Sequence, residues 1–374
     1  MEDRALLAPR PRRRPGLTPR QERLFTWMAG PLVAAVAAAW GFGLWDAVRV
    51  RAAERPVPPP TPTRAVAAAL LDPRSTEVAY LNQADLGFLD ALRGESGKLK
   101  AVFRAPGDAV VDEPPEEAAA HYEAGAGKAT VSPDFTAPKT PGIYKLAVEL
   151  NKAQRSIDDL KVITLVPFAE KQKEKIGLYY LGRWPFEGGG TPPSSAYANP
   201  RGFVEVTREN RDLPVSEHFM LGQFLTKDQP NVWPKYVLLD PRLLDKLELL
   251  IAELQKEGYD VKHLTVMSGF RTPRYNESGG NTGGRANLSR HMYGDAADVF
   301  VDNDRDGYTD DVNGDGKVDV RDSELVARAA ERVEAANPAL VGGIGIYVAC
   351  CGHGPFTHVD VRGRRARWRG TGNG

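Results

Sequence analysis

The chain has 374 residues, enough for about two domains of ordinary size. Its 49 basic and 49 acidic residues balance, which excludes a nucleic-acid-binding protein that works through a strongly basic surface. Glycine (37) and proline (29) are frequent but show no repeat, so a collagen-like chain is excluded and linkers or long loops are expected.

A charge-free apolar stretch near the N-terminus covers residues 25–45. About 20 such residues in a helix cross the apolar core of a bilayer, and tryptophans toward both ends suit the interfaces. Seven arginines precede the stretch, whereas only three follow it closely. The positive-inside rule therefore predicts a cytoplasmic basic tail at 1–24, a transmembrane anchor at 25–45 and the remaining chain outside.

Two other interpretations of this stretch are a cleaved signal peptide and a buried core helix. A signal peptide needs a small-residue cleavage site, and Ala52-Ala53 follows an arginine, which is a poor match. The unequal flanking charge disfavours a core helix. An uncleaved anchor is therefore preferred.

The next three segments differ in composition. Residues 46–64 form a Pro-rich linker, in which 56–63 predict an extended spacer. Residues 65–168 form a β-rich spacer domain, for which an immunoglobulin-like sandwich is one candidate. Its strands are predicted, from alternation and β-branched content, at 98–104, 128–132, 142–151 and 160–167. Residues 169–214 are interpreted as a connecting segment that crosses the surface of the next domain.

Mixed helix and strand patterns begin near residue 215. Asp240-Pro241 begins a helix with a leucine stripe that ends at Gly258, and a second helix is expected at about 323–336. Strands are predicted at 262–268, at 296–301 and in a C-terminal hairpin that joins 357–361 to 366–368. The fold class expected for the chain is α+β.

Three residues in this last part have the character of metal ligands: His291, Asp298 and His358. Small residues between the first two allow the tight turn that brings them together. His358 and Asp360 face the same side of one strand, because side chains alternate along a strand. Two imidazoles and one carboxylate suit a catalytic zinc ion with one open position, which activates water and polarises a carbonyl. The spacing of these residues alone does not distinguish metal binding from ordinary hydrogen bonding.

The adjacent cysteines Cys350 and Cys351 are the only two in the chain. They exclude a disulfide framework and a four-cysteine zinc site. Because neighbouring cysteines bridge each other only through a strained ring, an intermolecular bridge or a pair of partly buried thiols is preferred.

Five motifs follow one another in order over about residues 215–370. They are Ser268-Gly-Phe-Arg271, Gly279-Gly280, the stretch from Ser289 through His291 and Gly294 to Asp298, Gly343-Ile-Gly-Ile-Tyr347, and His358-Val-Asp360. In this order the motifs resemble the zinc D-Ala-D-Ala carboxypeptidase and murein endopeptidase family, whose fold is shared with the hedgehog signalling domain.

The resemblance implies a zinc peptidase that cleaves peptidoglycan stem peptides or cross-links. His291, Asp298 and His358 would bind zinc, while Arg271 and Ser289 would bind substrate, with Arg271 also steadying developing charge. With the predicted anchor, the expected location is the bacterial inner (cytoplasmic) membrane, single-pass, with the C-terminal domains in the periplasm or outside. The expected partners are peptidoglycan peptides and, through the N-terminal helix, the membrane; no nucleic acid is expected.

The chain departs from this family at the general base. Many members carry a histidine two residues before the last ligand or a glutamate three before it; here those positions hold Phe356 and Pro355. Asp360 is the first candidate for a base or an orienting group, and His353 is the second. Because the usual base residues are missing, a second function is also possible: a zinc-containing module that binds cell-wall peptide without cleaving it.

An acidic insertion at 302–322 has the spacing of calcium loops. Its two overlapping runs resemble the dockerin-type repeat, and the second run matches that repeat more closely, with Gly316 at the sharp turn. The predicted calcium ligands are Asp302, Asp304, Asp306, Asp311, Asn313, Asp315, the carbonyl of Lys317, and Asp322. A solvated acidic loop without an ion is the alternative.

Overall fold

The computed structural model describes Leu81 and residues 84–124, 130–278, 285–350 and 352–370. These residues belong to one compact unit that begins at residue 78. Its α-helices are α1 (Pro241–Lys256), α2 (Pro273–Ser278) and α3 (Val320–Ala336). Its strands are β1 (Ala101–Arg104), β2 (Ala118–Glu123), β3 (Thr130–Ser132), β4 (Gly142–Leu150), β5 (Ala153–Thr164), β6 (Val166–Pro167), β7 (Lys175–Ile176), β8 (Tyr179–Tyr180), β9 (Gly202–Val206), β10 (Lys235–Val237), β11 (Leu264–Ser268), β12 (Ala296–Val301), β13 (Gly343–Tyr347), β14 (Phe356–Asp360) and β15 (Ala366–Gly370).

The predictions of a transmembrane helix and of localisation in the inner membrane are wrong for the described residues. None of the helices there is long and apolar enough to cross a bilayer. The longest, α3, has 17 residues and is interrupted by charged side chains, whereas a span needs about 20 apolar ones. The predicted tail at 1–24, the anchor at 25–45 and the linker at 46–64 lie outside the described residues.

The fold is mixed α and β, with several separate sheets. In the β-rich region, β1 to β5 form one five-stranded sheet in the order β1-β5-β4-β2-β3, with β1 parallel to β5. The described part of this region therefore does not have the two packed sheets of an immunoglobulin-like sandwich. Strand β2 was not predicted from the sequence.

Alternate residues of β1 pack into two different cores, because successive side chains point to opposite faces of a sheet. Val102 packs with a cluster that includes Leu86 and Leu89 of the 3-10 helix Ala84–Arg93. Ala101 and Phe103 join the core of the C-terminal region instead. The core of the C-terminal region thus extends to one face of β1, while the β-rich region keeps a second core on the other face.

The segment predicted to cross the surface, 169–214, contributes to this core. Trp184 is 2% exposed, and Phe203 and Val206 are fully buried. The indole nitrogen of Trp184 donates a hydrogen bond to the carbonyl of Met292, 2.9 Å away. Met292 lies beside His291 in a 3-10 helix, so this segment supports one of the predicted metal ligands.

The C-terminal sheet has the strand order β11-β12-β14-β13-β15. Helix α1 begins where the sequence predicts, because the Asp240 carboxylate accepts a hydrogen bond from the Arg242 backbone N–H and Pro241 lacks a donor to satisfy. The predicted C-terminal hairpin is wrong: β15 pairs in parallel with β13, and β14 lies on the other side of β13. Strand β15 therefore crosses past β14 and forms the edge of the sheet.

Cys350 is disulfide-bonded, so the alternative of a pair of partly buried thiols is wrong for this residue. The single other cysteine of the chain, Cys351, lies outside the described residues.

Candidate metal centre

Two of the predicted ligands lie opposite each other in the C-terminal sheet. Asp298 of β12 pairs in register with His358 of β14. The same transverse row continues through Gly345 of β13 to Trp368 of β15. A Cβ atom at Gly345 would lie 2.4 Å from the Trp368 ring, so only glycine allows the indole to lie across β13. The Trp368 ring reaches the imidazole of His358, with centroids 5.1 Å apart.

The third predicted ligand, His291, lies on the 3-10 helix Arg290–Tyr293 that precedes β12. The chain leaves this helix at Gly294 with φ of 72°, in the left-handed region that favours glycine. A side chain at Gly294 would also collide with the backbone of Leu238, at 2.3 Å. This close approach fixes the turn that brings His291 to Asp298.

The three side chains meet at one point in the structure. The Nε2 atom of His291 lies 3.1 Å from Nδ1 of His358 and 3.2 Å from Oδ1 of Asp298. The Nδ1 atom of His358 lies 2.9 Å from the same carboxylate oxygen. All three residues are buried. Two nitrogens and one oxygen at this spacing form a donor set that suits zinc.

In each of the two histidines, the ring nitrogen that points away from the cluster forms a hydrogen bond. His291 Nδ1–H donates to the carbonyl of Gly269 at 2.7 Å, which leaves Nε2 free to bind a metal. His358 Nε2–H donates to Asp360 at 3.1 Å. Metal-binding histidines commonly show this pattern, because the outer hydrogen bond sets the tautomer and the ring orientation. The residues present therefore fit a zinc ion.

The three predicted ligands differ in how their surroundings shift their pKa values. Burial and the nearby Arg271 guanidinium lower the pKa of His291 to about 4, so its imidazole is neutral at pH 7. Burial opposes protonation of His358, but hydrogen bonds with Asp298 and Asp360 outweigh it and raise the pKa. The Asp298 carboxyl is also buried, yet His291 and Arg271 hold its pKa well below the usual range. Asp298 is thus ionised and His291 neutral, as metal ligands must be, whereas a proton competes with a metal at His358.

Arg271 lies against the cluster. Its Nη2–H donates to Asp298 Oδ2 at 2.6 Å, while the other oxygen of that carboxylate faces the two imidazoles. Its Nε–H donates to the hydroxyl of Ser268 at 2.9 Å, which fixes the plane of the guanidinium. Arg271 and the predicted substrate-binding residue Ser289 both line a cavity of about 430 Å³ that opens over the cluster.

Asp360 lies outside this cavity, behind His358. One of its oxygens accepts the His358 hydrogen bond, and the other accepts from the backbone N–H of Gly343 at 2.8 Å. Arg362 forms a bidentate ion pair with the same carboxylate. Burial opposes its ionisation, but these donors hold the pKa of Asp360 well below its usual range. Asp360 is therefore placed as an orienting group and is poorly suited to accept a proton.

His353, the second candidate base, is not among the described residues that line the cavity. Its Nδ1–H donates to the carbonyl of Gly354 at 2.8 Å, and its ring packs edge-on against Phe356. Among the described lining residues, the only carboxylate is the predicted ligand Asp298. The structure thus brings the three predicted zinc ligands together with Arg271 and Ser289, and it brings neither candidate base into the cavity.

The aromatic wall of the cavity was not predicted from the sequence. It is formed by Tyr347, Phe356 and Trp368. The Tyr347 and Phe356 rings stack with centroids 4.5 Å apart, and the Trp368 indole N–H donates to the Tyr347 hydroxyl at 2.8 Å. The alternation of glycine with larger residues in Gly343–Tyr347 was the available signal, because a glycine in a strand often marks the close approach of another group.

The acidic insertion separates into two parts in the structure. Asp302, Asp304 and Asp306 each place one carboxylate oxygen within 4.8 Å of the others. Burial and the charges of these three residues raise the pKa of neighbouring Asp310. In the second part, the predicted ligand Asp315 forms an ion pair with Arg321 at 2.6 Å. Three other predicted ligands, Asp311, Asn313 and Asp322, accept hydrogen bonds from backbone N–H groups in the same part.

Comparison with protein-family models, with curated proteins and with solved structures finds no significant match for this chain.

The outer hydrogen bond to His358 leads to a first prediction. Asp360→Asn keeps the shape of the side chain but removes the charge that favours the imidazole orientation. We expect zinc affinity to fall about 10- to 100-fold. The measurement is competition with a zinc chelator of known affinity, with Asp158→Asn on the exposed side of β5 as the control. Unchanged zinc affinity in Asp360→Asn would show that the outer hydrogen bond does not tune the site.

Proposed function

We propose that this chain is a zinc-dependent peptidase that acts on the peptides of peptidoglycan. The observation that carries the proposal is the convergence of His291, Asp298 and His358 beneath an open cavity, with Arg271 beside them. The five motifs that resemble the zinc carboxypeptidase and endopeptidase family support the substrate class, and the geometry supports the zinc chemistry.

His291 Nε2, His358 Nδ1 and Asp298 Oδ1 would hold the zinc ion. When bound, zinc supplies Lewis acidity for hydrolysis of a peptide bond. The surrounding residues keep the ligands ready: Gly269 and Asp360 set the two imidazole tautomers, and Arg271 holds the second oxygen of Asp298. Because these contacts hold the three side chains in place, the ligands would need little reorganisation to bind a metal.

The cavity wall suits a short peptide with a carboxylate. Arg271 offers a rigid fork of donors next to the metal ligands, and a guanidinium can pair with a carboxylate or with negative charge that develops on a scissile carbonyl. The lining of the same cavity also includes the aromatic rings of Tyr347, Phe356 and Trp368. Such a surface packs against aliphatic side chains, as small residues of a stem peptide would require.

A second candidate function is a zinc-containing module that binds cell-wall peptide without cleaving it. The observation that favours it is the position of the candidate bases. Asp360 is fully engaged behind His358, and among the described lining residues no carboxylate other than Asp298 faces the cavity. A binding module needs the cavity and Arg271 but no group that moves a proton.

The experiment that decides between the two uses the full chain and purified muropeptides. Products are separated after incubation of the zinc-loaded protein, of protein treated with a zinc chelator, and of protein to which zinc is returned. The peptidase predicts cleavage that stops with chelator and resumes with zinc. Binding to the muropeptides without any cleavage would support the non-catalytic module, and the absence of both binding and cleavage would contradict both functions.

The role of Arg271 gives a further prediction. Arg271→Lys keeps the positive charge but loses the fork of donors, so we expect kcat/KM on muropeptides to fall about 100-fold while zinc remains bound. The matched control is Arg274→Lys, an exposed arginine in the same segment that packs over Tyr180. Equal loss of activity in both variants would point to a general disturbance of the loop rather than to a role for Arg271.

A further inference from the structure

The acidic insertion consists of two loops that differ in how their charges are satisfied. We define the first acidic loop as residues 302–310 and the second acidic loop as residues 311–322. Both contain side-chain oxygens at alternate positions followed by a glycine, Gly307 in the first and Gly316 in the second. The sequence favours the second loop as the calcium site, and the contacts favour the first.

The first acidic loop contains an unsatisfied buried carboxylate. Asp302 is only 2% exposed. Its Oδ2 accepts hydrogen bonds from Thr265 at 2.8 Å and from the Gly307 N–H at 3.2 Å. Its Oδ1 is buried and has no hydrogen-bond partner. An unpaired polar atom in the interior is unfavourable, and more so when it is charged, so buried charges are normally paired or bound to metals.

Two further carboxylates converge on the buried one. Asp304 and Asp306 are exposed and each place an oxygen within 4.8 Å of a ligand oxygen of Asp302. Among the residues that the structure describes, no lysine, arginine or histidine forms an ion pair with any of these three. The cluster therefore has three negative charges, one of them buried, and lacks a described protein cation to balance them.

The second acidic loop is already neutralised by the protein. Arg321 pairs with Asp315 at 2.6 Å and with Asp319 at 2.8 Å. Asp322, which would close the calcium loop, instead accepts from the backbone N–H groups of Val312 and Asn313 and caps α3 through the N–H of Asp319. A calcium ion in this loop would have to displace a guanidinium and a helix cap.

We propose that the first acidic loop binds one calcium ion through Asp302, Asp304 and Asp306, and that the second acidic loop binds none. Calcium takes six to eight oxygen ligands in flexible geometry, which suits one buried and two exposed carboxylates on a short loop. Magnesium demands a tighter octahedral set and retains its water, so it fits this loop less well.

Calcium in the first acidic loop would also affect the wall of the cavity. This inference rests on the proposed peptidase function. Thr309 of the first acidic loop donates from its hydroxyl to the carbonyl of Pro355 at 2.9 Å. Pro355 immediately precedes Phe356, which belongs to the aromatic wall of the cavity. A calcium ion that fixes the first acidic loop therefore also fixes the position of this wall.

The test uses the full chain after calcium removal and terbium as a probe, since terbium takes the oxygen ligands of calcium and emits when a nearby tyrosine is excited. Tyr308 directly follows Gly307 in the first acidic loop, whereas Lys317 holds the matching place in the second. We expect tyrosine-sensitised emission that calcium suppresses by competition and magnesium does not. Asp304→Asn should lose the emission, and the matched variant Asp315→Asn should keep it.

Thermal melting gives a second readout that is independent of emission. Calcium should raise the melting temperature of wild type and of Asp315→Asn by roughly 5 °C, because it binds only the folded loop, and should leave Asp304→Asn unchanged. The proposal is overturned if wild type shows neither calcium-competed emission nor a shift, or if Asp304→Asn responds as wild type does. Loss of the response in Asp315→Asn would overturn the assignment to the first acidic loop.

These measurements separate the calcium site from the peptidase proposal, because neither needs catalysis. Calcium binding without muropeptide cleavage under any condition would uphold the site and contradict the peptidase. If cleavage occurs, calcium should increase it in wild type and in Asp315→Asn but not in Asp304→Asn. Cleavage that calcium leaves unchanged, although calcium binds, would overturn the link through Thr309 to the cavity wall.

Discussion

His291→Ala is expected to lose bound zinc and muropeptide cleavage together. Three protein ligands hold the proposed ion, so the loss of one leaves no substitute. His291 is well suited to this test because burial keeps its imidazole neutral and its Nδ1–H donates to Gly269, which turns Nε2 toward Asp298 and His358. Zinc content is measured by elemental analysis after dialysis, and cleavage is measured by separation of muropeptide products.

The matched control is His121→Ala. His121 lies on β2 in the β-rich region and pairs with Glu149, so its loss removes a histidine without touching the cluster. We expect this variant to keep both zinc and activity. If His291→Ala retained one zinc ion per chain, the ligand set would be wrong, and the proposed peptidase mechanism would lose its metal centre. Folding of both variants is compared by circular dichroism.

Lys246→Met is expected to destabilise the protein by about 3 kcal/mol, because it leaves a buried carboxylate without its closest cation. Lys246 is fully buried in α1, and its ammonium donates to Glu334 at 2.6 Å and to the carbonyl of Asp360 at 2.8 Å. Methionine fills the same space, so the change isolates charge and hydrogen bonding from packing. Arg367 also pairs with Glu334 and limits the loss.

Denaturant unfolding measures this effect, with Lys256→Met as the control. Lys256 lies in the same helix, and its ion pair with Glu253 is exposed, so its removal should cost less than about 1 kcal/mol. Equal stability of Lys246→Met and wild type would mean that the buried network contributes nothing net. A further consequence is testable in the same samples: the lost hydrogen bond to the Asp360 carbonyl should weaken zinc binding.

Elements whose ends depend on neighbouring residues were predictable from the sequence, whereas a pairing between distant strands was not. Strand β12 lies at 296–301, as its pattern predicts, and α1 begins at Pro241 after Asp240, because a helix start depends on its own first turn. Helix α3 begins earlier than predicted, at Val320, because Asp319 and Asp322 form a capping box that the apolar pattern does not reveal. The parallel pairing of β15 with β13 has no local signal at all.

For the candidate site, the sequence indicates which residue types meet: two imidazoles and a carboxylate, spaced around small residues that permit a tight turn. Which of the carboxylates are already paired, and which could still bind a proton or a cation, depends on the tertiary structure. Asp360 is held by Arg362 and Gly343, and Asp315 is neutralised by Arg321, whereas one oxygen of Asp302 is left without a partner. The physical reason is that a carboxylate's reactivity and its affinity for a cation depend on the donors around it and on its burial. Those donors come from other strands and helices.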